Sequence, residues 1–202
     1  MNPSGTPAAA PRGRPRSEVA ERAILEATTE LLDERGFVAL TMEDVALRAG
    51  VSKATIYRWW PSKGILAFDA FLARYLAEQP LPDTGTLHGD LLAALRGWIR
   101  TVKQTVTGRT LVGLIAEVQR DPALADAWRD RFIRPVRDRH RTMIERAVDR
   151  GEIPAGTDAE IALDLLFGSA YHRLLQSHLD LSDRFATVIV DIIVSGIEAQ
   201  AH

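Results

Sequence analysis

The chain has 202 residues, of which 46% are hydrophobic, and its formal net charge is −2 at pH 7. It contains no cysteine, which excludes a disulfide framework, a thiolate metal site and a cysteine nucleophile. No apolar run reaches the roughly 18 residues that a membrane span needs, and the N-terminus lacks the apolar core of a secretion signal. We therefore expect a cytoplasmic protein without a membrane partner.

Residues 1–16 are rich in Pro, Gly, Ala and Ser, and contain Arg12, Arg14 and Arg16 but no acidic residue. Such a segment cannot bury enough apolar surface to fold alone, so we expect a disordered basic arm. Its Arg-Gly-Arg-Pro core resembles an AT-hook, which lies in the narrow minor groove of A·T-rich DNA. A solubilising tail is the alternative. The position of the segment directly before the first helix favours a groove-reaching arm.

The pattern becomes helical at residue 17, and Gly36 is expected to end the first helix. Thr41, with Asp44 three residues later, predicts a capped second helix that ends at Gly50, where a left-handed backbone favours glycine. Ser52 is placed to cap a third helix. The apolar spacing of that helix leaves its polar residues facing outward. These features predict a helix-turn-helix.

Charge agrees with a nucleic-acid partner. Residues 45–68 contain no Asp or Glu, whereas Arg48, Lys53, Arg58 and Lys63 are basic. Because the whole chain is nearly neutral, this is a local basic stripe, which is typical of phosphate binding. A solvated basic helix face without a partner is the alternative.

Residues 17–66 resemble the DNA-binding domain of the tetracycline-repressor (TetR) family of bacterial transcription regulators. The resemblance is carried by the run Ala-Gly-Val-Ser-Lys-Ala-Thr-Ile-Tyr at 49–57 and by Ser62-Lys63. It implies a three-helix DNA-binding head, an all-helical regulatory body, and a homodimer on a pseudo-palindromic operator.

The resemblance also implies residue roles. Lys53, Ala54 and Thr55 match positions that approach base edges and backbone, and Lys63 matches a phosphate-binding lysine. Trp59 departs from the family pattern, in which histidine is frequent; its indole can donate but cannot accept. The full set of candidate DNA-binding residues is Arg12, Arg14, Arg16, Thr41, Ser52, Lys53, Ala54, Thr55, Tyr57, Arg58, Trp59 and Lys63.

Six further helices are predicted after the head, which makes about nine in an all-α chain. We expect them over roughly 62–79, 87–107 with a break at Gly108, 109–120, 121–150 with a kink at Pro135, 158–179 and 182–200. Thr157 and Glu160 suggest a capping box for the eighth. The predicted domains are the arm at 1–16, the head at 17–64, and a ligand-binding and dimerisation body at 65–202.

The last two helices are too apolar to form a solvated hairpin, so one stripe is expected to meet a second copy of the chain. The predicted dimer residues are Phe167, Leu174, Leu175, Ile189, Ile192 and Ile193. The sequence alone does not determine which of them face the partner and which face the subunit core.

A ligand cavity is expected among the fifth to eighth helices, where apolar and aromatic residues are mixed with a few polar groups. The predicted lining is Trp98, Thr101, Leu114, Val118, Trp128, Phe132, His140, Met143, Tyr171 and His172. The alternative is that most of these residues simply fill the core. The tryptophans and the scarcity of interior charge favour a hydrophobic or aromatic effector.

The preferred function is a repressor that a small molecule releases from DNA. Alternatives are an activator, a regulator that requires its ligand, a helical-bundle enzyme, and a nonspecific architectural protein. The sequence has no Gly-rich phosphate loop, no nucleophile elbow and no Glu-x-x-His pair, and no two of its five histidines are four apart. We therefore expect no catalytic residue, no metal and no cofactor.

Overall fold

The computed structural model describes the backbone of residues 14–199 and the side chains of residues 18–199. All regular structure in this part of the chain is helical, which confirms the all-α prediction. Two π-helical turns, Arg129–Ile133 and Asp164–Gly168, each join two helices end to end, so the described residues form nine continuous helices. The bounds are α1 Arg14–Ala39, α2 Met42–Ala49, α3 Lys53–Tyr57, α4 Lys63–Glu78, α5 Leu87–Gln104, α6 Val106–Val118, α7 Pro122–Trp128, α8 Arg134–Asp149, α9 Ala159–Leu163, α10 Ser169–Gln176 and α11 Asp183–Ala199.

Helix α1 starts at Arg14, so the backbone of residues 14–16, which were predicted to belong to the arm, is helical. Pro15 is compatible with this start, since a helix's first turn has no acceptor for the missing N–H. Arg12 and the side chains of Arg14 and Arg16 lie outside the described residues.

The caps of the head form as predicted. The Thr41 hydroxyl accepts from the amide of Asp44 at 3.1 Å, and the Ser52 hydroxyl accepts from the amide of Thr55 at 3.2 Å. Gly36 has φ 75° and interrupts helical geometry within α1, and Gly50 has φ 66° after α2. These two glycines therefore turn the chain where the sequence predicted.

The break between the fifth and sixth helices lies at Thr105, so the predicted break at Gly108 is wrong. Thr105 is extended, and its hydroxyl accepts from the amide of Gly108 at 3.2 Å, which caps α6. Gly108 lies in the first turn of α6, where a Cβ would collide with the backbone of Thr101 and Val102. The glycine is required by close packing.

The long helix predicted over 121–150 contains a π-helical turn just before its proline. Asp121 caps α7 as predicted, and the π-helical turn at Arg129–Ile133 directly precedes Pro135 near the start of α8. Proline cannot donate to the carbonyl four residues earlier, so the backbone is free to take the wider turn.

The predicted capping box of the eighth helix is wrong, because Asp158 is the cap. Its carboxylate accepts from the amides of Glu160 and Ile161 at 2.9 and 3.1 Å. The Thr157 hydroxyl donates to the carbonyl of Pro154 at 2.8 Å. The helix also ends earlier than predicted, since Ser177 is left-handed with φ 51°.

One core runs through the head and the body. Helix α1 packs on α2, α4 and α6, while α5 packs on α6, α8 and α11. Phe37 of the head packs closely against α6 at Gly113, where an added Cβ would lie 2.8 Å from the Cβ of Phe37. Within the described part of the chain, no helix is both long and apolar enough to cross a membrane.

Candidate DNA-reading surface and internal cavity

The third helix presents its polar face to solvent. Ile56 and Trp60 are buried in the head, whereas Lys53, Ala54, Tyr57 and Arg58 are exposed. Thr55 is half-buried beside Ser52 and Trp59 is half-buried. The face is thus oriented as the sequence predicted.

Two of the four cations in the predicted basic stripe are paired with carboxylates. Arg48 donates to Glu34 through two bonds of 2.8 Å and to Glu30 at 3.1 Å, which ties α2 to α1. Lys53 lies 2.6 Å from Glu43. These contacts lower the pKa of Glu34 and Glu43 below the ordinary range. The free charge of the stripe is therefore smaller than the sequence suggested.

Lys63 occupies the first position of α4, but its ammonium points back to α1. It lies 4.8 Å from the centre of the Phe37 ring and donates to the carbonyls of Phe37 and Val38 at 3.4 Å. The Arg58 guanidinium lies 4.9 Å from the centre of the Trp59 ring. Arg58 therefore makes a cation–π contact with Trp59, the residue that departs from the histidine frequent in the resembled family.

An internal cavity of about 80 Å³ lies between α4, α5, α8 and the α9–α10 helix. Trp98, Phe132, His140 and Tyr171 line it, as predicted. Phe167, which was predicted for the dimer surface, points into the cavity instead. The lining that sequence analysis missed is Tyr75, Ile133, Val136, Arg137 and Leu163.

Six residues predicted for the cavity do not line it. Leu114 and Met143 are fully buried core residues. Trp128 packs among the rings of Phe68, Phe71 and Phe132, with the last ring centre at 4.5 Å.

The other three lie farther from the cavity for separate reasons. Thr101 is buried and accepts a hydrogen bond from Gln79, while Val118 is half-buried at the end of α6. His172 is exposed, and its ring centre is 4.9 Å from that of His178. Helical spacing identified these residues as inward or polar, but not which wall each one faces.

The polar groups of the cavity are uncharged or already paired. His140 Nδ1 is 2.7 Å from the carbonyl of Val136, so this nitrogen carries the proton and donates. Burial lowers the pKa of His140, and the charges of Arg139 and Arg137 add to this effect. Burial also raises the pKa of Tyr171 to about 12. Both side chains are therefore neutral near pH 7.

Arg137 is the cation in the cavity wall, and two carboxylates hold it. Its Nε donates to Glu160 at 2.7 Å and its Nη1 to Asp164 at 2.6 Å. By contrast, the buried indole N–H of Trp98 has no hydrogen-bond partner, and the Tyr171 ring lies 4.9 Å from the Trp98 ring, measured between ring centres.

A chain of contacts joins this cavity to the head. Phe132 and Ile133, in the π-helical turn, line the cavity, and Arg131 of the same turn lies 2.7 Å from Asp69 of α4. The second carboxylate oxygen of Asp69 accepts from the indole N–H of Trp60 at 2.9 Å. Trp60 is buried directly after the recognition helix.

Comparison with known proteins identifies the architecture. Residues 24–70 match the family model described as bacterial regulatory proteins, tetR family, and residues 81–193 match that of the tetracyclin repressor-like, C-terminal domain. The uncharacterized HTH-type transcriptional regulator YdeS of Bacillus subtilis is 36% identical over 93% of this chain and 94% of its own length. The chain belongs to the TetR family.

Two further relatives agree with the assignment. The DNA-binding transcriptional repressor TetR of Mycobacteroides abscessus is 32% identical over 89% of this chain and 94% of its own length. The crystal structure of the TetR family transcription regulator SCO0332 has a TM-score of 0.78 and 37% identity, covering 88% of this chain and 98% of that one. This TetR-family chain is a DNA-binding transcriptional regulator with a helix-turn-helix head and a helical C-terminal domain.

The TetR-family body exposes an apolar face on α9, α10 and α11. Its exposed members are Ile161, Leu165, Leu175, Val188 and Ile192, of which Ile192 is 61% accessible. Among the predicted dimer residues, Leu174 and Ile189 are half-buried at the edge of this face. Ile193 is only 4% accessible, so of the two sides that the sequence left open it faces the subunit core. The one-residue step between 192 and 193 rotates a helical side chain by about 100°.

Proposed function

We propose that the protein is a repressor that binds a pseudo-palindromic operator as a homodimer and is released by a small hydrophobic or aromatic effector. The observation that carries this proposal is the aromatic cavity, which is joined to Trp60, next to the recognition helix, by the contacts of Arg131 and Asp69. A relative that shares most of its length is named a transcriptional repressor. As a regulator of transcription, the protein acts in the cytoplasm.

In this proposal, α3 enters the major groove. Lys53, Thr55 and Tyr57 supply base and sugar contacts, with Ala54 small enough to allow close approach. Thr41, Ser52 and Lys63 lie at helix starts and are assigned to phosphates, together with Arg58 and Trp59. Arg12, together with Arg14 and Arg16 at the start of α1, adds minor-groove contacts beside the core site.

Lys53 and Lys63 must exchange partners when DNA binds. Lys53 leaves Glu43, and Lys63 leaves the carbonyls of Phe37 and Val38. The Glu43 contact is exposed, so screening makes it weak and easily replaced by a phosphate or a base. Glu43 therefore reduces binding of Lys53 to arbitrary DNA while leaving specific binding available.

The exposed apolar face of α9, α10 and α11 supplies the dimer contact. A C2 pair would place two recognition helices in major grooves one turn apart, roughly 34–36 Å. Ile192→Glu should split the dimer, because its carboxylate would be buried without a partner. Val112→Glu, on an exposed part of α6, is the matched control.

The effector acts by favouring one body conformation over another. An occupant of the cavity displaces Phe132 and Ile133, and hence the π-helical turn that carries Arg131. The pull on Asp69 and Trp60 then changes the angle of the head. Because one dimer holds the two heads, a small rotation of each head changes the distance between the two α3 helices, which then no longer matches the spacing of the operator half-sites.

The test is selection of bound sequences from a random DNA pool, followed by a gel-shift titration and transcription in vitro from the selected site. We expect a palindromic site, a dimer on it, and lower transcription with protein than without. Transcription that rises with protein would favour an activator. Binding that requires an added ligand would favour a ligand-requiring regulator, and binding without sequence preference would refute the operator.

A further inference from the structure

We infer that the cavity selects an uncharged, single-ring aromatic compound with a hydrogen-bond acceptor, such as an aromatic ketone, aldehyde or amide, and that the indole N–H of Trp98 donates a hydrogen bond to that acceptor. The inference rests on the proposed function, because it takes the cavity as the effector site.

Aromatic rings make up most of the wall. Trp98 lies 4.9 Å from Tyr171 and 6.4 Å from Phe167, and Tyr75 lies 4.9 Å from Phe132, all between ring centres. Edges and faces in this arrangement suit a further flat ring, which gains both burial and ring–ring contact. The wall therefore selects a planar aromatic occupant over a flexible acyl chain.

The cavity volume limits the occupant's size. An apolar cavity of about 150 Å³ holds one benzene ring, so the 80 Å³ present here takes a single-ring compound only when Phe132 or Phe167 moves aside. A ligand with two rings would need a larger rearrangement. The displacement of Phe132 by a single ring is the movement that the proposed function requires.

The unpaired donor determines the substituent. Trp98 is 1% accessible, and its indole N–H makes no hydrogen bond. Burial of an unpaired donor is costly, and an occupant with a carbonyl oxygen removes that cost. His140 in the same lining cannot donate to the occupant, since its Nδ1 proton is committed to Val136 and its Nε2 can only accept.

The cavity disfavours both anionic and cationic ligands. A carboxylate would find the Arg137 guanidinium already bonded to Glu160 and Asp164, and His140 neutral. A cation would meet the positive edge of the Trp98 indole and the nearby guanidinium, although aromatic faces alone can attract cations. Neutral ligands avoid both desolvation costs.

The experiment measures binding of four ring compounds of similar size to the full chain without DNA by calorimetry at pH 7.5. They are acetophenone, ethylbenzene, benzoate and benzylammonium. We expect acetophenone to bind about 3–10-fold more tightly than ethylbenzene, the effect of one net hydrogen bond. The two ions should bind at least about 30-fold more weakly than acetophenone. Equal binding of ethylbenzene, or tighter binding of either ion, would overturn the inference.

Trp98→Phe retains an aromatic ring and removes the donor, so it should abolish the preference for acetophenone over ethylbenzene. Trp59→Phe, outside the cavity, is the control and should retain the preference. If Trp98→Phe does not fold, the indole N–H resonance of Trp98 in the wild-type protein decides. It should shift downfield with acetophenone and not with ethylbenzene; identical spectra would refute the contact.

Release of operator DNA is measured separately. If acetophenone binds as expected but never affects DNA binding, the ligand class stands and the proposed regulation fails. If all four compounds release DNA equally, the regulation stands and the ligand class fails.

Discussion

Asp69 joins the cavity wall to the recognition helix, so its replacement tests the proposed route of regulation. Asp69→Ala removes the acceptor of the Trp60 indole, and an unpaired buried donor costs about 1–3 kcal/mol. The contact with Arg131 adds little, since the two side chains are 49% and 21% accessible and such pairs contribute about 0–1 kcal/mol. The expected destabilisation is therefore about 1–3 kcal/mol, or a drop of about 2–12 °C in melting temperature for a chain of this size.

Asp69→Asn and Arg131→Gln each remove the ion pair between Asp69 and Arg131 but keep an acceptor for the Trp60 indole. The asparagine carbonyl still accepts from Trp60, so both variants should melt close to the wild type. Both should, however, weaken the link between cavity and head. We expect the effector's reduction of operator affinity to shrink at least about threefold in each, out of a typical coupling of about 5–150-fold.

The assay is operator affinity by fluorescence anisotropy, with and without a saturating cavity ligand, alongside thermal unfolding. Affinity for the cavity ligand itself serves as the control and should stay within twofold. If Asp69→Ala melts like the wild type, the bond to Trp60 contributes nothing to stability. If Arg131→Gln leaves the effector response unchanged, coupling does not pass through this contact.

Four further outcomes are expected. Lys63→Ala should weaken binding to operator and random DNA alike and lower the slope of log affinity against log salt by about one; an unchanged slope would remove the phosphate role. Glu43→Gln frees Lys53 from its partner and should raise affinity for random DNA several-fold, whereas lower affinity would contradict the proposed competition. Ile192→Glu should sediment as a monomer at micromolar concentration and lose operator binding together with the second subunit; a dimer would place the interface elsewhere. Finally, burial lowers the pKa of His140 from 6.5, so the unfolded chain binds the proton more readily. The stability of the fold with neutral, buried His140 is therefore complete above pH 6.5 and falls as the pH drops toward the folded-state pKa of His140. His140→Phe should reduce the slope of unfolding free energy against pH below 6.5, and an unchanged slope would assign it to other groups.

Local features of the head were decided by the sequence. The Thr41 and Ser52 caps and the positive φ of Gly36 and Gly50 depend on residues within three or four positions, so each could be identified without tertiary contacts. The spacing of Ile56 and Trp60 likewise set which face of α3 is exposed. The all-helical fold followed from apolar periodicity along the whole chain.

Long-range pairing was decided only by the tertiary structure. Sequence showed Arg48 and Lys53 as free cations, but Glu34 approaches Arg48 because α1 packs across α2. The sequence predicts a helix break at Gly108, whereas the structure requires glycine there because a Cβ would collide with the backbone of α5.

The cavity shows the same division most clearly. Helical spacing placed Trp98 and Tyr171 on inward faces, but nothing in it distinguished the cavity from solid core such as Met143. Tyr75 of α4 and Arg137 of α8 line the same cavity, which only the packing of several helices could decide. Side-chain periodicity determines which face of a helix is buried, while the packing of several helices decides what that face meets.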